Sequence, residues 1–99
     1  MTFSVLMVCT GNICRSPMAE GLLWKWLPDA MKPVVSVRSA GTHGLHGNRA
    51  EPFAVRAAAA HGADISQHRA SVLDADMVRS ADLVLAMEKY HIDKINDLI

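Results

Sequence analysis

The stretch Cys9-Thr10-Gly11-Asn12-Ile13-Cys14-Arg15-Ser16-Pro17 constrains this chain more than any other. It follows Phe3-Ser4-Val5-Leu6-Met7-Val8, a short apolar run of strand formers, and precedes a helix-like segment from Met18 to Leu27. A strand, a tight loop and a helix start together make an anion site. Loop amides converge on one point, and the helix N-terminus adds partial positive charge. Gly11 lets the backbone approach a ligand closely, and Asn12 is among the few non-glycine residues that tolerate positive φ. Ser16 suits an N-cap and Pro17 a first helical position. Arg15 closes the loop with a planar fork that matches two phosphate oxygens. Cys9 lies where the strand ends and this field is strongest, which favours the thiolate form of its sulfur. Such a loop with a thiolate at its floor points to nucleophilic attack on phosphorus through a cysteinyl-phosphate. The competing reading is a buried cysteine at a strand end with Arg15 in a surface pair. The strand–loop–helix context weighs against it.

The rest of the chain arranges itself around that loop. In the first helix Met18, Ala19, Leu22, Leu23 and Trp26 share one face, with Trp24 off the stripe and partly buried, and Pro28 ends the segment. Val34 to Ser39 reads as a second strand, parallel to the first across a right-handed crossover. Gly41 to Gly47 is a Gly- and His-rich loop that should rim the same sheet edge as the phosphate loop. Pro52 opens a helix over Phe53–His61 that Gly62 terminates, and residues 64–70 connect. Asp74 to Ser80 is a short helix capped by Asp74, Leu83 to Met87 a third strand covered on both faces, and Glu88 to Leu98 a helix with Ile92, Ile95 and Ile99 in line. The order βαβαβα with parallel strands makes a three-layer α/β domain on a partial parallel sheet, with the site at the C-terminal strand ends.

Composition narrows the partners. At 99 residues the chain is one domain, and ten basic against ten acidic side chains imply no polyanion, so no nucleic acid is expected. No run approaches a membrane span, and nothing reads as a signal peptide. Two cysteines in the chain, both at the loop, suggest functional thiols in a reducing, cytoplasmic setting. The loop curls, so Cys9 and Cys14 are candidates for a reversible disulfide that protects Cys9. The alternative is that Cys14 is a small buried loop residue. His43 and His46 lack a third ligand nearby, so no metal and no cofactor are expected.

CTGNICRSP resembles the phosphate loop of low-molecular-weight protein tyrosine phosphatases. Ser39-Ala40-Gly41-Thr42, then residues 64–70 (DISQHRA), then Ala81-Asp82-Leu83-Val84-Leu85-Ala86-Met87 fit the same family in order. The resemblance spans all 99 residues but about two-thirds of the family's usual length, so residues 1–99 are expected to lack the family's last strand and helix. It implies Cys9 as nucleophile and Arg15 with the amides of Thr10, Gly11, Asn12, Ile13, Cys14 and Arg15 as the phosphoryl cradle. It further implies that Ser39 and His68 hydrogen-bond Asn12 and hold its strained backbone. Ser16 would donate to the Cys9 sulfur rather than cap the helix. Leu45 matches by spacing a position that walls the substrate cleft, where many members carry an aromatic. That variation resembles the bacterial branch associated with exopolysaccharide gene clusters, whose substrate is a tyrosine autokinase. A phosphotyrosine protein is thus the implied partner. An open edge on the third strand would also invite a second chain.

Three functions compete. The first is a metal-free cysteine phosphomonoesterase acting on phosphotyrosine. The family's general acid comes from an Asp-Pro loop, and these 99 residues contain no Asp-Pro. Glu51-Pro52 fits a helix start instead. The second is a phosphate-binding or vestigial module with little turnover, because that acid is absent. The third, arsenate reductase, shares fold and loop but relays a disulfide through further cysteines, and none follows Cys14.

Overall fold

A computed structural model describes residues 2–99. The elements are β1 (Phe3–Cys9), α1 (Arg15–Trp26), β2 (Val35–Gly41), α2 (Pro52–Ala60), α3 (Ala75–Ser80), β3 (Leu83–Ala86) and α4 (Lys89–Leu98). The three strands form one parallel sheet in the order β2-β1-β3. The most apolar strand takes the centre, and Val5 through Cys9 are all buried. Asp82 fixes where β3 joins, because Ser4 N donates to its carboxylate at 2.7 Å and Asp82 N donates to Ser4 O at 2.8 Å. Cys9 faces Gly41 across the sheet and Val8 faces Ala86, so all three C-terminal strand ends reach one edge.

Strand alternation divides the core. Leu6, Val8 and Ala40 point to one face, where Leu73, Val78 and Ile95 cover them. Val5, Met7 and Val35 point to the other, under Ala19, Leu23 and Leu27 of the α1 segment. A third cluster joins α1 to α2: Ala54 and Ala58 meet Met18 and Leu22, with Ala63 and Ile65 beside them. Small side chains let these helices approach closely; a Cβ on Gly21 would stand 2.6 Å from Ile65 Cγ2. The three-layer arrangement expected from the pattern is therefore present.

Several boundaries and faces differ from expectation. α1 starts at Arg15, with Cys14 as N-cap and no side-chain cap bond, so Ser16 and Pro17 are its second and third residues. Pro17 is tolerated there because amides in the first turn have no helical acceptor. β2 runs two residues further than expected, to Gly41. Trp26 lies on the exposed side, since the α1 stripe splits between two clusters through Leu22 and Leu23. Trp24 is likewise exposed. In α4 the inward pair is His91 and Ile95, four residues apart, while Ile92 and Ile99 face out. Neighbouring helical positions differ by about 100°, so turning His91 inward carries Ile92 to the rim. β3 is not covered on both faces. Leu83 and Leu85 are 42% and 40% exposed. They share the face of Val5 and Met7, but α1 packs chiefly over β1 and β2. Among the described residues no strand pairs with the outer edge of β3.

The two faces of the sheet should respond differently to truncation. Leu6→Ala, at a fully buried position, should cost about 2–5 kcal/mol in urea unfolding, whereas Leu85→Ala should cost at most about half as much. Equal costs would contradict the assignment of the exposed face.

Candidate active site

The site begins where β1 ends. Residues 10–14 curl from Cys9 into α1, and every carbonyl on the outside of the curl is occupied. Thr42 N donates to Cys9 O at 2.9 Å, His43 N to Thr10 O at 2.9 Å, Leu45 N to Gly11 O at 3.1 Å and Glu51 N to Ile13 O at 2.7 Å. His68 Nε2 donates to Asn12 O at 2.7 Å. With carbonyls held outward, amides turn inward. Asn12 N points at Cys9 Sγ, 3.3 Å away. The amides of Gly11, Ile13, Cys14 and Arg15 donate to no protein acceptor among the described residues. Such a ring of amides at a helix N-terminus is built to hold an oxyanion.

The curl depends on Asn12, whose φ of 59° is the one positive value at a non-glycine residue among those described. Its side chain is fully buried. Nδ2 donates to Ser16 Oγ at 2.8 Å and to Ser39 Oγ at 2.9 Å, and Oδ1 accepts from Ser71 N at 2.8 Å. The Ser71 contact fixes which end of the amide is oxygen. Ser16 Oγ then lies 2.8 Å from Cys9 Sγ. Because that oxygen already accepts from Asn12, its hydrogen is free for the sulfur. Two donors thus converge on Cys9, which stabilises negative charge there. Ser39 passes the chain on, donating to Glu20 Oε1 at 2.5 Å. Ser39 and His68 therefore both reach Asn12, as the family resemblance implied, and Ser16 faces the sulfur rather than capping the helix.

The glycine that the curl requires is Gly41, not Gly11. A Cβ on Gly41 would lie 2.3 Å from Thr10 O, whereas one on Gly11 would meet only ordinary contacts with Ile13 and Leu45. Leu45 is exposed beside Gly11, at the rim of the loop. Cys9 and Cys14 are both free thiols. Cys14 packs towards the alanine cluster, and burial first, then the nearby Cys9, raises its pKa above the usual thiol value.

The N-terminus of α4 forms the opposite rim. Arg15 Nη1 donates to Glu88 Oε1 at 2.5 Å, with both side chains nearly half exposed. Glu88 N donates to His91 Nδ1 at 3.0 Å, so the neutral ring carries its proton on Nε2, which lies 3.0 Å from Thr10 Oγ1. Tyr90 Oη also meets Thr10 Oγ1. The hydrogen bond that Arg15 donates to Glu88 raises the Arg15 pKa further. Burial, aided by Arg15, lowers the pKa of His91, and Glu88 opposes the shift.

Sequence reasoning missed Glu20, Ser71, Glu88, Tyr90 and His91. Glu20 was within reach, since it sits one helical turn after Ser16. So was Glu88, which follows β3 at the sheet edge that carries Cys9. Ser71 and Tyr90 carry no local signal.

Comparison with known proteins agrees with this geometry. Residues 4–99 match the family model described as low molecular weight phosphotyrosine protein phosphatase. The chain is 49% identical over 92 residues to the Escherichia coli K12 low molecular weight protein-tyrosine-phosphatase Etp, covering 93% of this chain and 59% of that protein. It is 51% identical over 88 residues to the probable phosphatase EpsP of Ralstonia nicotianae, covering 89% and 57%. The structure of tyrosine phosphatase Wzb from Escherichia coli K30 in complex with sulphate superposes with a TM-score of 0.86 at 37% identity, covering 99% of this chain and 65% of that one. The chain thus spans about 60% of the length of these relatives.

His91 gives the site a pH signature. Its pKa is lowered in the fold, so its contribution to stability is complete above the ordinary histidine value and is lost as pH falls through the folded value. The urea midpoint of the parent should fall between about pH 7.5 and about pH 5.5, and His91→Gln should flatten that fall. The same pH dependence in both proteins would exclude His91 as its source.

Proposed function

The chain belongs to the low molecular weight phosphotyrosine protein phosphatase family, and on that premise we propose that it is a cysteine-dependent phosphomonoester hydrolase acting on phosphotyrosine. The observation that carries this reading is the pair of donors on Cys9 Sγ beneath a ring of inward-facing amides. Sγ attacks phosphorus in line, an Sγ–P bond forms, the P–O bond to the phenol breaks, and the phenolate leaves. Water then attacks the cysteinyl-phosphate, releasing phosphate and returning the electron pair to Sγ. Ser16 Oγ–H steadies the sulfur as it departs. Arg15 and the loop amides hold the three equatorial oxygens, where charge spreads in the transition state. No step calls for a metal.

Leu45, standing beside Gly11 at the rim, would set the width of the cleft that receives the tyrosine ring. The phosphotyrosine protein in this reading is a bacterial tyrosine autokinase, a proposal that rests on the Leu45 variation and its resemblance to the exopolysaccharide-associated branch. A cytoplasmic setting suits such a substrate; no helix among the described residues is long and apolar enough to cross a membrane. A second reading, an oxyanion-binding module with little turnover, is favoured by one observation: no Asp-Pro among these residues supplies the family's general acid.

Two experiments separate these readings. Cys9→Ser should abolish turnover of p-nitrophenyl phosphate while inorganic phosphate still binds, since the hydroxyl is a far weaker nucleophile and the cradle is unchanged. Residual activity above about a tenth of the parent would remove Cys9 from the nucleophile role. The 99 residues contain no Asp-Pro to supply the family's acid. A positioned acid is worth about 10²–10⁴-fold and matters most for poor leaving groups. p-Nitrophenyl phosphate should therefore react far faster than phenyl phosphate. Equal rates would reveal an acid among these residues, and no turnover of either substrate would establish the binding module.

A further inference from the structure

A large cavity lies behind the phosphate loop rather than over it. Its volume is 530 Å³, and it opens between α1, the connector after α2 and the outer edge of β2. That volume is in the range of small-ligand sites. Val35, Val37 and Ile65 supply apolar wall, Trp24 a flat aromatic surface, and Glu20 and Asp64 carboxylates. No lysine or arginine lines it. Neither Glu20 nor Asp64 is in an ion pair among the described residues; Glu20 accepts from Ser39, and Asp64 accepts from Ser66 N at 2.9 Å.

We propose that this cavity binds a cation carried on a flat apolar body, of the aryl amidine or arylalkylamine class. Two carboxylates on a concave, partly apolar surface focus negative potential and repel anions. A neutral apolar guest would desolvate the carboxylates without replacing the lost interaction. The indole of Trp24 attracts a cation through its π face. Lys32 Nζ already lies 5.9 Å from the centroid of this ring, without lining the cavity.

The cavity also has a route to the loop. Glu20 Oε1 is the acceptor for Ser39 Oγ, and Ser39 Oγ is the acceptor for Asn12 Nδ2. His68, whose ring holds Asn12 O, lines the same cavity. A bound cation competes with the Ser39 hydroxyl for Glu20 and so loosens the support of Asn12. Occupancy of the cavity and oxyanion binding in the loop therefore oppose one another, and linkage makes the opposition mutual.

The probe is benzamidinium chloride, titrated into the 99-residue protein at constant ionic strength and followed by amide and indole NMR. Saturable shifts are expected at Val35 to Val37, at Ile65 to His68 and at the Trp24 indole. Trp24→Ala and Asp64→Asn, each at a solvent-reaching position and checked for a folded spectrum, should each weaken binding about tenfold, as should neutral benzamide in place of the cation. Benzamidinium at about ten times its Kd for the parent should weaken inorganic phosphate binding about fourfold in the parent and less than about twofold in Trp24→Ala. Non-saturable shifts, or undiminished affinity in both variants, would overturn the site. Saturable binding with unaltered phosphate affinity would overturn the coupling. Neither readout depends on turnover, so loss of the phosphatase reading would leave this test intact.

Discussion

One buried amide holds the site in shape. Asn12 adopts a left-handed backbone that costs a non-glycine residue about 1–3 kcal/mol, and the surroundings must offset it. They do so through four hydrogen bonds: Nδ2 donates to Ser16 and Ser39, Oδ1 accepts from the Ser71 amide, and the carbonyl accepts from His68. Apart from Ser16, the partners come from β2 and the segment after α2, which are remote in sequence. No one of these elements can shift without leaving a buried polar group unpaired, a loss larger than the bond's own net contribution. The inward turn of the loop amides is thus a property of the packed domain rather than of nine residues in isolation.

The parallel sheet makes that convergence possible. With every strand running the same way, the ends of β1, β2 and β3 deliver Cys9, Gly41 and the Met87-Glu88 turn to one edge. Gly41 then does at the seam what no other residue can. Its missing Cβ lets Thr10 O pass within a distance that any side chain would block. The close seam also allows Thr42 and His43 to take the loop carbonyls. Fold and site are therefore one construction, in which backbone contact between β2 and the loop sets the direction of the amides.

What was legible in the sequence followed physical locality. The apolar run, the loop and the helix start lie within thirty residues, so β1, the curl and α1 could be read directly, as could the Asp74 cap, which accepts from Met77 N at 2.8 Å. Boundaries suffered where two rules competed. Ser16 is a good cap by type, but its hydroxyl serves the sulfur, and the helix starts one residue before it. Faces were misjudged where burial depended on a partner. The open edge of β3 was expected, but an all-apolar strand reads as covered on both faces, and Leu83 and Leu85 are uncovered. The α4 stripe followed isoleucine spacing, while the helix is turned by His91, a polar residue that hydropathy discounts and that two hydrogen bonds draw inward.

The two rims of the loop differ in kind, and the difference bears on how an oxyanion enters. On the Asn12 side the contacts are buried, neutral and mutually dependent. On the α4 side the principal contact is the exposed pair Arg15–Glu88. Pairs so exposed contribute about 0–1 kcal/mol, because water screens them and two long side chains must be ordered. An oxyanion settling among the amides offers Arg15 a bidentate partner in the same solvent, with the helix N-terminus behind it. Exchange of one acceptor for the other is therefore cheap at Arg15, whereas moving the Asn12 side would break a buried network. The proposed function needs that division: the amides must be in place before the anion arrives, and the arginine must be free to close on it afterwards.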